Sequence, residues 1–267
     1  MDWSILIKAA IMGIVEGLTE FLPISSTGHL ILVAQWIHFN HTTAEVFEVV
    51  IQLGAILAVC WEYRLRLLFT LRHIFDHHDT KRLMTNILVA ALPASVFGSV
   101  LIGSIKAYLF NPLTVAIALL IGGLIIIWVE RREHSVHVGR IEEMTVLDAL
   151  KVGCIQIFSL VPGISRSGST IIGGLLCGLS RQVATEFSFF LAIPIMFAAA
   201  FYDGLRCRAL FELIDIPIFF VGLFFAFISA FIAVRGLLKF ISQHTFLVFA
   251  WYRIIFGLAM LGLWFNA

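Results

Sequence analysis

The residues from Glu16 to His29, EGLTEFLPISSTGH, gather reactive groups into an otherwise apolar stretch. Glu16 and Glu20 are four residues apart, so on a helix they share one face. Like charges at that spacing repel, and more strongly in low-polarity surroundings. A bound cation, a shared proton or a nearby arginine must offset them; the plainer alternative is an interfacial helix with two solvated glutamates. Hard divalent cations prefer carboxylate oxygen, and a magnesium site often joins one or two carboxylates to substrate phosphate, so Glu16 and Glu20 are the candidate metal ligands. Ser25, Ser26 and Thr27 offer hydroxyls and backbone N–H groups where a helix begins. That is the ordinary place for a capping serine and also for an anion. Ser26 is the candidate nucleophile, and His29, three residues on, the candidate proton shuttle. Attack by water, positioned by His29 or a carboxylate, is the competing route.

A second polar stretch, PGISRSGST, runs from Pro162 to Thr170. An arginine at membrane depth is costly and marks a functional site unless the loop lies at the surface. The Arg166 fork matches phosphate geometry. Gly163 and Gly168 let backbone N–H groups approach, and Ser165, Ser167 and Thr170 add hydroxyls. Carboxylates, hydroxyl and imidazole on one loop, with guanidinium and N–H donors on the other, suit phosphoryl transfer. An intramembrane cavity suits a lipid tail, so the residues point to a phosphatase of a lipid phosphate or diphosphate. Glu48 and Gln52 line up one turn apart and are read as lining the same cavity or pairing structurally. Arg253 would neutralise a carboxylate, contact phosphate or pair structurally. The alternative class is an anionic-lipid flippase, which shares the need for an arginine and a wet cavity but not for carboxylates beside a hydroxyl and a histidine.

These loops need elements to hold them. The chain has 267 residues, 60% of them hydrophobic and only 13% charged, with a mean hydropathy of +1.00. A soluble domain carries roughly 25% charge, so this is an all-α integral membrane protein. A net charge of +1 argues against a nucleic-acid partner. The four cysteines lie in or beside apolar runs without metal spacing and read as small buried hydrophobes. Spans are predicted near 46–63, 86–105, 113–130, 186–203, 216–234 and 245–264, each close to the ~20 residues that a crossing helix needs. The apolar arms beside the polar loops, 28–37 and 171–179, are too short to cross, which predicts two re-entrant helical hairpins.

The two halves, about 1–133 and 145–267, read as an internal duplication within a single membrane domain. At an offset of 140 residues, Gly13 falls on Gly153, Ser25 on Ser165, Gly28 on Gly168 and Phe47 on Phe187. Three spans per copy is odd, so the second copy inserts upside down: six transmembrane helices plus two re-entrant hairpins as an inverted-topology repeat, with the polar loops meeting near the midplane. Arg66, Arg82, Arg131, Arg181 and Arg235 fall on one side of this scheme, which the positive-inside rule makes cytoplasmic.

The two motifs resemble those of the bacterial undecaprenyl-diphosphate phosphatase family of the bacitracin-resistance type. The glutamate-rich signature falls on Glu16 and Glu20, and the Pro-Gly-x-Ser-Arg-Ser-Gly signature on Pro162, Gly163, Ser165, Arg166, Ser167 and Gly168; the likeness covers essentially the whole chain. It implies hydrolysis of undecaprenyl diphosphate to the monophosphate, recycling the lipid carrier of cell-wall polymers and conferring bacitracin resistance. It also implies dependence on magnesium or calcium. The expected setting is the bacterial plasma (inner) membrane, with the active site open to the extracytoplasmic face. The expected partners are a polyprenyl diphosphate lipid and the bilayer, with a homodimer left open.

Overall fold

The computed structural model describes residues 3–39, 44–133, 135–206 and 215–266. Helix α1 (Trp3–Thr19) runs into a polar turn, and the eleven-residue α2 (Ser26–Trp36) leaves it. Helix α3 (Ala44–Glu62) breaks sharply into α4 (Arg64–Arg72), with a bend of 76°. The long α5 (His78–Tyr108) and α6 (Pro112–Glu130) close the first half. The second half repeats the order: α7 (Val146–Gln156) ends in a 3-10 turn (Ile157–Leu160), followed by α8 (Arg166–Leu176), α9 (Arg181–Arg206), α10 (Ile216–Ile241) and α11 (Leu247–Asn266). Among the described residues the only extended pairing is an isolated bridge between Val138 and Leu179.

The expected spans fall on α3, α5, α6, α9, α10 and α11. Five of these are long and apolar enough to cross a membrane; α3 qualifies only together with α4. Outward faces stay apolar, as with Leu88, Leu92 and Val96 on α5 and Phe220 and Phe224 on α10. At 1.5 Å per residue α2 and α8 are each roughly 16 Å long, about half of the hydrocarbon core. They start 140 residues apart and have the same length, and each is preceded by a serine at positive φ: Ser25 at 70° and Ser165 at 73°. The polar loops are shorter than the sequence reading had them. Ser26–Gly28 and Arg166–Thr170 already belong to the first turns of α2 and α8, because the positive-φ serine lets the chain enter the helix at once.

The halves interlock. Helix α1 packs most extensively on α10, α7 on α5, and α6 on α11, each pair joining one half to the other. Small residues permit the close approach: a Cβ on Gly54 of α3 would lie 2.5 Å from the Leu223 carbonyl of α10. On the side with most of the basic residues, Arg66 joins Glu142 and Glu186, Arg181 pairs with Glu130, and Arg235 with Glu62. The cysteines depart from their expected burial: Cys154 is exposed and Cys60 and Cys177 are half-buried, while Cys207 lies outside the described residues. Lipid-facing sulfur costs little, which a burial argument made for water overlooks.

Candidate active site

The turn after α1 and the turn before α8 meet in the middle of the bundle around a cavity of about 150 Å³. Glu20, Ser25, Ser26, Thr27 and Gln52 line it from the first half, and Ser159, Gly163, Ser165 and Arg166 from the second. Both N-cap serines hold a φ that non-glycine residues rarely adopt. Such strain persists where surrounding structure enforces it, and it concentrates at functional sites. Ser165 Oγ caps α8 by accepting from the Gly168 amide at 3.1 Å. Ser25 makes no side-chain cap on α2, so the first-turn amides of that helix keep their reach for an anion.

Three side chains engage directly. Glu20 Oε2 accepts from Ser26 Oγ at 2.6 Å, and Glu20 Oε1 accepts from Arg166 Nη2 at 2.9 Å. Arg166 also donates Nη1 to the Ser188 carbonyl at 3.2 Å, and Nη2 touches Met196 Sδ at 3.4 Å. These contacts aim the guanidinium from α8 across α9 into the cavity, beside the ring of Phe21. Glu16, one turn back on α1, is fully buried, and neither carboxylate oxygen has a hydrogen-bond partner. Glu20, Glu48 and Arg166 are near enough to act on its charge. Glu16 and Glu20 thus stand near one guanidinium in a desolvated place. A second charge beside Glu20 there needs an offset, which a bound cation or a shared proton would supply.

The remaining predicted residues hold the loops. Ser167 Oγ donates to the Leu22 carbonyl at 2.8 Å, tying one polar turn to the other. Thr170 Oγ1 lies 2.6 Å from Ser188 Oγ, fastening α8 to α9. Gly163 has φ +95°, and a Cβ there would come within 2.7 Å of the Val115 carbonyl, so only glycine fits.

One expectation needs correction, and one open choice is decided. His29 does not reach Ser26. Its Nδ1 lies 2.7 Å from the Ser25 carbonyl, its Nε2 lies 2.6 Å from the Tyr252 hydroxyl, and its ring stacks on Phe256. One helical turn carries the imidazole to the far side of α2, toward α11, so Glu20 stands where His29 was expected. Of the readings left open for Arg253, the structure selects structural pairing: the side chain is not among those lining the cavity, and its partners are carbonyls. Its guanidinium is 1% exposed and donates to the carbonyls of Pro23, Ala118, Leu119, Gly163 and Ile164. It clamps both polar turns to α6. Ser159 was missed, since only its place in the 3-10 turn brings it to the cavity. Tyr252 on α11 is the partner of His29.

The run His73, His77 and His78 lies on the exposed α4–α5 connection. Among the described residues no three histidine, cysteine or acidic side chains gather as a metal site. A cation at Glu16 and Glu20 would therefore take its other oxygens from substrate and water.

The chain matches the family described as Bacitracin resistance protein BacA over residues 9–259. It is 62% identical over 264 residues to a Laribacter hongkongensis protein named undecaprenyl-diphosphatase, covering 99% of this chain and 97% of that one. It is 58% identical to the Nitrosospira multiformis protein of the same name, covering 98% and 96%. A Pseudomonas fluorescens protein, also so named, is 55% identical, covering 99% and 96%.

Proposed function

Because the chain belongs to the bacitracin resistance protein BacA family, we propose that it hydrolyses undecaprenyl diphosphate to undecaprenyl phosphate and inorganic phosphate. The observation that carries the reading is the Ser26–Glu20–Arg166 array around one cavity: hydroxyl, acceptor carboxylate and guanidinium within hydrogen-bond reach of one another. In this reading the Arg166 fork and the first-turn amides of α2 hold the terminal phosphate. Ser26 Oγ attacks its phosphorus, the hydroxyl proton passes to Glu20, and the lipid monophosphate leaves; water then releases phosphate from the serine. Water attacking directly, with Glu20 as base, uses the same contacts.

The uncompensated Glu16 carboxylate beside Glu20 fits a divalent cation, magnesium or calcium. Glu16 and Glu20 would hold it, and it would supply Lewis-acid neutralisation of the diphosphate oxygens. The matched register of α2 and α8 and the cross-packing of the halves support an inverted-topology repeat with two re-entrant hairpins. The excess of basic residues on the Arg66–Arg181–Arg235 side supports that side as cytoplasmic in the bacterial inner membrane, and the family resemblance, not the charge bias, is what implies an active site open to the extracytoplasmic face.

The test is phosphate release from undecaprenyl diphosphate by the detergent-purified protein, with and without EDTA, beside Glu20→Ala. Release that stops with the variant supports the array, and release that also stops with chelator supports the cation. Release unchanged in Glu20→Ala sinks the site. Rapid quenching that traps phosphoserine selects Ser26 as nucleophile; turnover near normal in Ser26→Ala removes it from that role.

A further inference from the structure

A second cavity lies one residue away from the first. Between α5 and α9 an apolar cleft of about 490 Å³ is lined by Ala91, Gly98, Pro194, Ile195, Ala198 and Tyr202, among others. Two contacts place it next to the polar cavity. Ser159 lines that cavity, and the next residue, Leu160, stands 3.5 Å from where a Cβ of Gly98 would be. Met196, next to the cleft-lining Ile195, touches the Arg166 guanidinium. The partition is thus Leu160 on one side and Met196 on the other.

General helix packing does not demand the cleft. The counterpart pair in the chain order, α3 with α10, packs closely, with Gly54 against the Leu223 backbone. In α5 and α9 the lining side chains at this level are mostly alanine, serine and glycine, and Pro93 and Pro194 each forfeit a backbone hydrogen bond. Among the described residues no side chain fills the room that results. Its lining is mostly apolar, and Gly98 meets Leu160 at the end where a chain leaving a diphosphate in the polar cavity would arrive.

We infer that the α5–α9 cleft is the seat of the first isoprenoid units of a polyprenyl diphosphate, entering over the Leu160–Met196 partition from the phosphate held at Arg166. The inference rests on the phosphatase reading for the identity of the lipid. The cleft then sets chain-length selectivity: a substrate with a tail gains contacts there that a one-unit diphosphate does not.

Gly98→Phe and Ala198→Phe test this, since both positions have space for a ring: a Cβ on Gly98 meets only Leu160 at ordinary contact distance, and Ala198 is exposed. Neither touches the phosphate-binding groups. The measurements are kcat/KM for undecaprenyl diphosphate and for isopentenyl diphosphate, and retention of undecaprenyl phosphate by native mass spectrometry. The expected result is a loss of at least about tenfold for the long substrate with the short one unchanged, and loss of the retained product. Equal loss for both substrates, or no loss for either, overturns the inference and leaves the cleft to bulk lipid. If the unaltered protein releases phosphate from neither substrate, the phosphatase reading fails by itself. Retention of the product then decides the cleft: displacement by the phenylalanines upholds it, and undiminished retention, or none by the unaltered protein, overturns it.

Discussion

Glu20 accepts a 2.6 Å hydrogen bond from Ser26 Oγ through one oxygen while its other oxygen accepts from Arg166. The carboxylate therefore does two things: it orients the hydroxyl and it anchors the guanidinium. If the two residues act as one unit, their losses do not add. Glu20→Gln and Ser26→Ala should each lower kcat by about 10²–10⁴ in the phosphate-release assay. The double variant should fall little further than the worse single one. Multiplicative losses would separate the two residues.

Arg166 and Arg253 lie close in the fold and have opposite work. Arg166→Lys should retain thermal stability in detergent and lose activity severely, because an ammonium cannot replace a fork that spans Glu20 and the Ser188 carbonyl and, in the proposed reading, a phosphate. Arg253→Lys should do the reverse at the level of the fold. A lysine has three donors for five buried carbonyls. Stranding the rest should cost on the order of 3 kcal/mol or more, visible as a lower melting temperature and as both polar turns becoming accessible to proteolysis.

His29 is held from both sides, by the Ser25 carbonyl and the Tyr252 hydroxyl. These contacts favour a role in holding Ser25 in its strained conformation over one in moving the reacting proton, and the reading we propose is the former. Tyr252→Phe and His29→Gln should therefore lower activity by similar modest factors, about tenfold or less. The pH profile of kcat should keep its shape in both. Loss of a limb near neutrality in His29→Gln alone would return the histidine to the chemistry.

The length and spacing of the apolar runs made the six spans and two short arms legible, because the bilayer sets a minimum length that sequence can be measured against. Glu16, Glu20 and Arg166 stood out for the same reason: charge inside an apolar run has few bland explanations. The positions that misled or stayed open depend on elements far apart in the chain. His29 meets Tyr252 across 223 residues, and Arg253 reaches Pro23 across 230. No local pattern encodes how α11 lies against α2 and α6. Ser159 was hidden differently, since the change from α7 to a 3-10 turn rotates it toward the cavity, and a period of 3.6 does not predict that rotation.

Glu16 offers a test of the cation that does not depend on turnover. A fully buried carboxylate without a hydrogen-bond partner, beside Glu20 and Glu48, destabilises the fold unless something neutralises it. Glu16→Gln keeps the shape and removes the charge. In the presence of chelator it should melt at a higher temperature than the unaltered protein, by an amount corresponding to about 1 kcal/mol or more. Adding magnesium or calcium should raise the melting temperature of the unaltered protein through preferential binding to the folded state, and should leave Glu16→Gln nearly unmoved. The variant should also lose phosphatase activity, so that stability and function part company at one residue. A cation-dependent rise of equal size in both proteins would place the ion away from Glu16.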